Sequence, residues 1–464
     1  MSEPVGSAEP GLLTKAGGGS QGRPSSPGKT QGDWPKGVLR AHWLRRRYVK
    51  FAQADWPGRL LLLRRAVSGY TLFVLSRALA ALIGLPLLIF IRLLRPIIPV
   101  GIGRLQHERM HLLINTEYWL RCQAMGGNRA RKISLFVCGP PANRQVLTMI
   151  MRRLSVWQTH SNLVLSAFAL LVRYWPSHPA WIDLEETGTL SCRAFGIWNG
   201  AGPQLSFARV ERQRGEKVLR SIGIGPGEPY ICFFARDTAY LDLLHTYRSR
   251  DQWSYHDYRD CAISNYVPAA EFLAARGLWA LRMGQVVEKP ILSKQPRVVD
   301  YATRFRSDFA DVYLMAHCRF YIGDTAGIYG LSAAFGVPCA LANIVPFGLA
   351  TRTSQDLFIP KKHRYLVSRR SVPFRDLIAM GADWWLRTEQ FEAAGIEVVE
   401  NTADEILALA QEMNARVEGT WVAQDEDEEL QDRYRGLFPP GHPFTGCPSR
   451  VGAEFLRQNR ELLV

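Results

Sequence analysis

The chain contains no C-x-x-C pair, although it holds eight cysteines. Cys122, Cys138, Cys192, Cys232, Cys261, Cys318, Cys339 and Cys447 are scattered, several of them inside apolar runs. That scatter speaks against a thiolate zinc site or a disulfide framework, so buried thiols in a reducing compartment are expected. There is no internal repeat, which sets solenoid architectures aside. The P-loop pattern G-x-x-x-x-G-K-[ST] is missing. "GIGRLQ", after the first predicted strand, stops short of G-x-G-x-x-G, which disfavours a dinucleotide oxidoreductase. Acids are nearly missing between Lys36 and Arg65. There Lys36, Arg40, Arg45, Arg46, Arg47, Lys50, Arg59, Arg64 and Arg65 face the single acid Asp55, so about eight of the fifteen net positive charges fall in this span.

The apolar segment after this basic block points to its partner. "VSGYTLFVLSRALAALIGLPLLIFI", Val67 to Ile91, is long enough to span a bilayer, but Arg77 sits near its middle and Pro86 interrupts it. An arginine at mid-membrane costs about 2.5–3.5 kcal/mol on insertion scales. A helix or helical hairpin lying in the cytoplasmic leaflet is therefore expected, with an anionic membrane surface as partner and nucleic acid disfavoured. Residues 1–38, rich in Gly, Ser and Pro, read as a disordered tail, and 39–100 as the basic, membrane-associating helical segment.

At 464 residues the chain has room for two further domains. "PIIPVGIGRL" and "KISLFVCG" read as strands, with "HERMHLLINTEYWLRCQAM", "ANRQVLTMIMRRL" and "SNLVLSAFALLVRYW" as helices. The Gly-rich "GIGPGEP", Gly223 to Pro229, ends this first series. The second series runs "YICFFA", "NYVPAAEFLAARG", "LWALRMG", "SDFADVYLMAHC", "RFYIG", "IYGLSAAFGVP" and "CALANI", strand and helix in turn. Such alternation predicts parallel sheets with helices on both faces. The expected fold class is α/β: a first Rossmann-like domain over 101–225, a second over 226–365, and an extension, 366–464, packing back on the core. Past Pro360 the pattern is irregular.

Three strands end in polar or glycine-rich loops, at Arg236-Asp237, at Arg282-Met283-Gly284 and at Gly323-Asp324-Thr325-Ala326-Gly327. Ligands bind outside the carboxyl ends of strands in open parallel sheets, so these loops should line one crevice. Small residues at a helix start bare backbone amides to a phosphate, Thr325 adds a hydroxyl, and Asp324 either caps the helix or meets a sugar hydroxyl. Two guanidiniums beside such a turn make a diphosphate site; a tight turn without ligand, and surface ion pairs, are the plain alternatives. "HERMH" formally matches H-E-x-x-H, but the sequence offers no third ligand and no metal is assigned. The polar stretch His245 to Asp260 reads as a substrate-facing or plain surface loop.

In order along the chain, "ARDTAYLD", "HDYRDCAISNYVPAAEFLAARGLWALRMG", "VVDYATRFRSDFADVYLMAHCRFYIGDTAGI", "DLFIPKK" and "SRVGAEFLRQN" resemble a poorly characterised bacterial family of GT-B-type glycosyltransferases. More distantly, "GDTAGIYGLSAAFGVP" is similar to the donor turn of heptosyltransferases, and Arg236 to the phosphate-binding arginine of fucosyltransferases. The chain departs from the family pattern at Phe234 and Met110, where histidine and glycine are usual, and at Asp260, where asparagine is. The resemblance implies two Rossmann-like domains of GT-B type. It also implies a nucleotide-sugar donor, a glycan or lipid-linked acceptor, no separate cofactor, and a place on the cytoplasmic face of the inner membrane, peripheral or monotopic. Donor binding falls to Arg236, Arg282, Gly284 and Gly323–Gly327, with Asp300 and Tyr301 on the nucleoside side. His111, Glu117 and Asp237 are the candidate bases. A nucleotide-sugar epimerase and a non-catalytic scaffold of a glycan-assembly complex are the other two readings.

Overall fold

The alternating strand and helix runs assemble into two separate parallel sheets in the computed structural model, which describes residues 56–94, 96–106, 110–126, 133–182, 184, 192–244, 254–348, 353–442 and 444–464. The expected tail and the cluster Lys36–Lys50 lie outside these residues. By contacts the chain divides into Met1–Phe73 and Val74–Val464. Of the first unit, the described part is helical and exposes Leu60, Leu63, Val67, Tyr70 and Phe73.

Helix α1, Trp56–Leu79, runs through a π-helical turn, Ala80–Gly84, into α2, Leu85–Leu94. No hairpin forms at Pro86: the π-helical turn just before it, Ala80–Gly84, adjusts the backbone to the missing amide donor. By length and composition alone, Val67–Leu94 (28 residues, with an 18-residue window of mean hydropathy 2.3) is long enough to cross a membrane. Within the second unit, Leu88 and Ile91 of α2 are buried, and the His178 ring fixes α2 in place. Its Nδ1 accepts from the Ala180 amide at 3.2 Å, leaving Nε2–H to donate to the Leu88 carbonyl at 3.1 Å. Arg77 donates to the Tyr174 hydroxyl at 2.7 Å.

The first sheet comprises β1 (Val100–Arg104), β2 (Ile133–Cys138), β3 (Ser155–Gln158) and β4 (Trp181–Ile182), in the order β3-β2-β1-β4 and all parallel. Its helices are α3 (His111–Met125), α4 (Arg144–Met151), α5 (Asn162–Tyr174), α6 (Cys192–Gly200) and α7 (Arg209–Ile222). Helix α7 ends on Gly223, whose φ of +102° is the left-handed stop that glycine adopts without strain.

The second sheet begins with β5 (Tyr230–Phe233), followed by α8 (Val267–Ala275), β6 (Trp279–Arg282) and β7 (Val298–Val299). Then come α9 (Asp308–His317), β8 (Tyr321–Gly323), α10 (Tyr329–Ala334), β9 (Cys339–Ile344) and β10 (Leu357–Pro360). Beyond Pro360 lie β11 (Lys362–Tyr365), β12 (Ile396–Val399), α11 (Ala403–Glu418), α12 (Asp427–Gly436), β13 (Arg450–Val451) and α13 (Ala453–Gln458). The order is β13-β10-β9-β8-β5-β6-β7, parallel throughout. Strands β5, β8 and β9 are buried at every position, as the continuous apolar runs of a sheet covered on both faces require. The expected irregularity past Pro360 is corrected. That stretch supplies β13 as a seventh strand, the antiparallel pair β11–β12, and α11, which packs on α8.

The chain reverses its strand order between β5 and β8, which makes this the switch point of the second sheet. The cysteines other than Cys192, whose side chain is not described, are thiols, all buried but Cys122.

One buried group gives the core a pH dependence. His363 is 1% exposed, lies in a stacked arrangement with Phe391 (ring centroids 5.6 Å apart), and neither ring nitrogen has a hydrogen-bond partner among the described residues. Burial, reinforced by nearby Lys361, depresses its pKa from 6.5 to about 3. The unfolded chain therefore binds a proton that the folded one refuses as pH falls from 6.5 toward 3, so stability is lost in that window. His363→Phe keeps the ring and removes the titration. Comparing urea midpoints at pH 8 and pH 5 should show the wild type losing about 2 kcal/mol more than the variant.

Candidate functional site

The loops after β5 and β8 meet at the switch point, and Asp324 ties them. It is 2% exposed, and its Oδ2 accepts from the Arg236 amide at 2.6 Å and from the Cys261 thiol at 3.2 Å. Its Oδ1 accepts from the Ala326 amide at 2.7 Å. Asp324 is thus a buried knot between loops, and its bond to the Ala326 amide, two residues on, caps the turn that leads into the next helix.

The small residues of the turn answer to different constraints. A Cβ on Gly323 would lie 2.8 Å from the Phe234 carbonyl and 2.1 Å from the Tyr321 hydroxyl, so neighbouring structure keeps that position bare. On Gly330 it would meet Ile114 at 2.7 Å, where α10 packs along α3. Gly327 is different: it is exposed, and a Cβ there would stand an unstrained 3.4 Å from the Met110 Cβ. Helix α10 proper is only six residues long, starting at Tyr329, so its dipole contributes less than the sequence pattern implied.

Both strand-end arginines are paired with carboxylates. Arg282 is fully buried, with Nη1 3.2 Å from Asp300 Oδ1, while Asp300 Oδ2 accepts from the Ile291 amide at 3.1 Å. The Arg282 Nε and Nη2 have no hydrogen-bond partner among the described residues, an arrangement that calls for a ligand or ordered water. Arg236, 12% exposed, is ion-paired with Asp260 and donates to the His256 carbonyl at 3.3 Å. Its companion is Arg259, which donates to the Thr325 carbonyl at 2.9 Å and has no carboxylate partner among the described residues. Burial and then the charge of Arg259 pull the Arg236 pKa below its ordinary value, which marks two guanidiniums held close together.

Lys361 completes the cluster. It is 2% exposed and donates to the carbonyls of Asp260 at 2.7 Å and Tyr258 at 3.1 Å. Burial lowers its pKa. Reading for strand-end arginines missed Arg259 and Lys361, although "HDYRD" and "DLFIPKK" both carry them.

The other candidates divide. Tyr301 is fully buried and its hydroxyl donates to Asp311 at 2.8 Å, while Asp300 is committed to Arg282; a nucleoside-facing role is corrected for Tyr301 by its place in the core. Gly284, at φ +148°, has Val287 where a Cβ would stand, at 2.5 Å, and closes its own loop. Both oxygens of Asp237 are occupied, by the amides of Ala239 (3.1 Å) and Glu288 (2.9 Å). Glu117 is fully buried: it accepts from Arg121 (2.9 Å) and from the amides of Gln204 (2.7 Å) and Leu205 (3.2 Å). Arg121 in turn reaches the Ala334 carbonyl at the end of α10, at 2.8 Å. Glu117 is a strut between the two sheets' helices, so its assignment as a base is corrected as well.

His111 remains accessible. It opens α3, its Nδ1 lies 3.0 Å from Gln106 Oε1, and the preceding Met110 borders Gly327. His107 and Glu108, like the loop His245–Trp253, lie outside the described residues. No group of three or more potential metal ligands occurs among the described residues.

No protein-family model matches the chain, and no curated protein matches it. Among solved structures it is similar to E. coli ADP-heptose LPS heptosyltransferase II, at 12% identity over 56% of this chain and 90% of that one, with a TM-score of 0.36. It is also similar to a glycosyl transferase family 9 protein from Veillonella parvula DSM 2008, at 11% identity, 52% and 79% coverage, and a TM-score of 0.32. The E. coli heptosyltransferase WaaC with ADP aligns at 12% identity, 56% and 91% coverage, and a TM-score of 0.27. Overlaps this loose leave function to be argued from the chain's own site.

Proposed function

We propose that the chain is a two-domain, GT-B-type glycosyltransferase that moves a sugar from a nucleoside-diphosphate donor to a lipid-linked or glycan acceptor. One observation carries the reading: the Arg236 amide is bonded to Asp324 and the Arg259 guanidinium to the Thr325 carbonyl, so both arginines bear on the turn Thr325–Gly327 at the switch point of a doubly wound parallel sheet. An anion between them relieves their repulsion, and a pyrophosphate is the anion whose two charges match.

In the reaction, an acceptor hydroxyl gives its proton to a base as its oxygen bonds to the anomeric carbon. The bond from that carbon to the diphosphate oxygen breaks, and the charge arriving on the leaving group is stabilised by Arg236 and Arg259. His111, across the turn from Gly327, is the base this geometry favours. A thermal-shift screen against UDP-, GDP-, ADP- and CMP-sugars tests the site, and a nucleotide-independent melting midpoint counts against it. Sugar transfer to an acceptor separates this function from epimerisation, which needs none, and from a scaffold, which turns nothing over.

The workplace is proposed to be the cytoplasmic face of the inner membrane. The basic block and the exposed Leu82, Ile83, Phe90 and Leu93 support this. Replacing Leu82, Phe90 and Leu93 with glutamate should release the protein from anionic vesicles in a flotation assay while leaving its melting midpoint unchanged. Continued flotation speaks against membrane association through this segment.

A further inference from the structure

A cavity of about 460 Å³ lies between the first sheet and the helices α2 and α5. Strand register shows which face it occupies. Ile102, Leu135 and Ser155 form one cross-strand row, and Arg104, Val137 and Trp157 form the next. All of these line the cavity except Arg104, which stands in the second row at the carboxyl end of β1. Leu171 of α5 closes the opposite wall, and Gly84 makes room for it: a Cβ there would strike Leu171 at 2.4 Å.

The volume is that of a ligand pocket rather than a packing defect. Its walls give water almost nothing to bond, so the cavity is suited to an apolar guest. Leu135 is 46% and Trp157 59% exposed, so the cavity is open to the outside, and Leu87 at its rim continues into the exposed apolar side chains of α2. A hydrocarbon chain leaving a bilayer thus has an unbroken apolar route in.

Arg104 has no carboxylate partner among the described residues. It lies about 7 Å beyond Ile102 along the strand, at two residues of about 3.3 Å each. Two residues further on is Gln106, which holds His111. A lipid with its chain in the cavity and its phosphate at Arg104 therefore points its head toward the crevice, an orientation that a bulk lipid has no need of.

We propose that this cavity holds the hydrocarbon chain of a lipid-linked acceptor, with the lipid phosphate paired to Arg104. The inference rests on the transferase reading for the word acceptor, and its test separates the two. The full chain is incubated with phosphatidylglycerol vesicles carrying a diazirine-bearing polyprenyl phosphate, irradiated, and the adducts mapped by mass spectrometry. Adducts should fall on Leu135, Trp157 or Leu171 and be competed by unlabelled polyprenyl phosphate, not by added phosphatidylglycerol. Leu135→Trp, at a half-exposed position, should cut labelling about tenfold. Arg104→Gln should weaken labelling by the phosphate but not by the uncharged polyprenol. On the wild type, a probe of two isoprene units should label about tenfold less than a long one, a result independent of any variant's folding. Adducts confined to other surfaces, or equal competition by phosphatidylglycerol, overturn the proposal. The thermal shift with nucleotide-sugars is read on the same samples. Nucleotide binding without cavity labelling overturns this inference alone, and cavity labelling without nucleotide binding overturns the transferase reading alone.

Discussion

Arg259→Ala should lower nucleoside-diphosphate affinity by about ten- to a hundredfold, because a hydrogen bond between charged groups contributes about 1.5–3 kcal/mol and each 1.4 kcal/mol is a decade. The fold should tolerate the change. Among the described residues the Arg259 guanidinium holds only Thr325, so its removal costs stability about 1 kcal/mol. Titration calorimetry gives the first quantity and urea denaturation the second. Arg236→Ala should act in the same direction, with a larger stability loss, since Asp260 is left without its cation. Lysine at 259 should restore only part of the affinity, because an ammonium lacks the planar fork that reads two phosphate oxygens. Asp260→Asn should do the reverse of Arg259→Ala. That carboxylate competes with any phosphate for Arg236, and asparagine frees the guanidinium while keeping the loop's shape. Unchanged affinity in both arginine variants would remove the diphosphate from this site.

The second large effect concerns stability. Glu117→Gln should cost about 3–5 kcal/mol in urea denaturation, the range for breaking a buried ion pair from one side. Arg121 stays buried at 2% exposure with its carboxylate gone, and the amides of Gln204 and Leu205 lose a charged acceptor. Burial raises the Glu117 pKa above its ordinary value of 4.5, opposed by the two amides and by Arg121. Transfer per folded molecule should therefore be preserved in Glu117→Gln and lost in His111→Ala, which leaves the stability near wild type. The opposite pattern would restore Glu117 as the base and remove His111.

Sequence reading located most of the frame. The strands "YICFFA", "LWALRMG" and "CALANI" are continuous apolar runs between polar stretches, and buried parallel strands leave that trace whatever their neighbours are. The short β3 and β4 left none, since both carry mixed residues and owe their conformation to pairing with β2 and β1. The turn after β8 was legible as a site because small residues cluster there, yet composition does not say why each is small. Gly323 is bare for the Phe234 carbonyl and Gly330 for Ile114, both distant contacts that exist only after folding.

What the chain's order of residues determined by itself is the alternation of strand and helix, the strand ends on which ligand-facing loops are hung, and the basic and apolar character of the segment before them. These are properties of local pattern, in which side-chain periodicity and charge act over a few neighbours. Which charges remain available was decided only in three dimensions. Arg282 and Arg236 look alike as arginines at strand ends. Yet the first sits fully buried against Asp300, eighteen residues away, while the second, paired with Asp260 and 12% exposed, has Arg259 and Lys361 brought near it from separate loops. Ion pairing and burial depend on distance in space, and tertiary packing alone sets that distance.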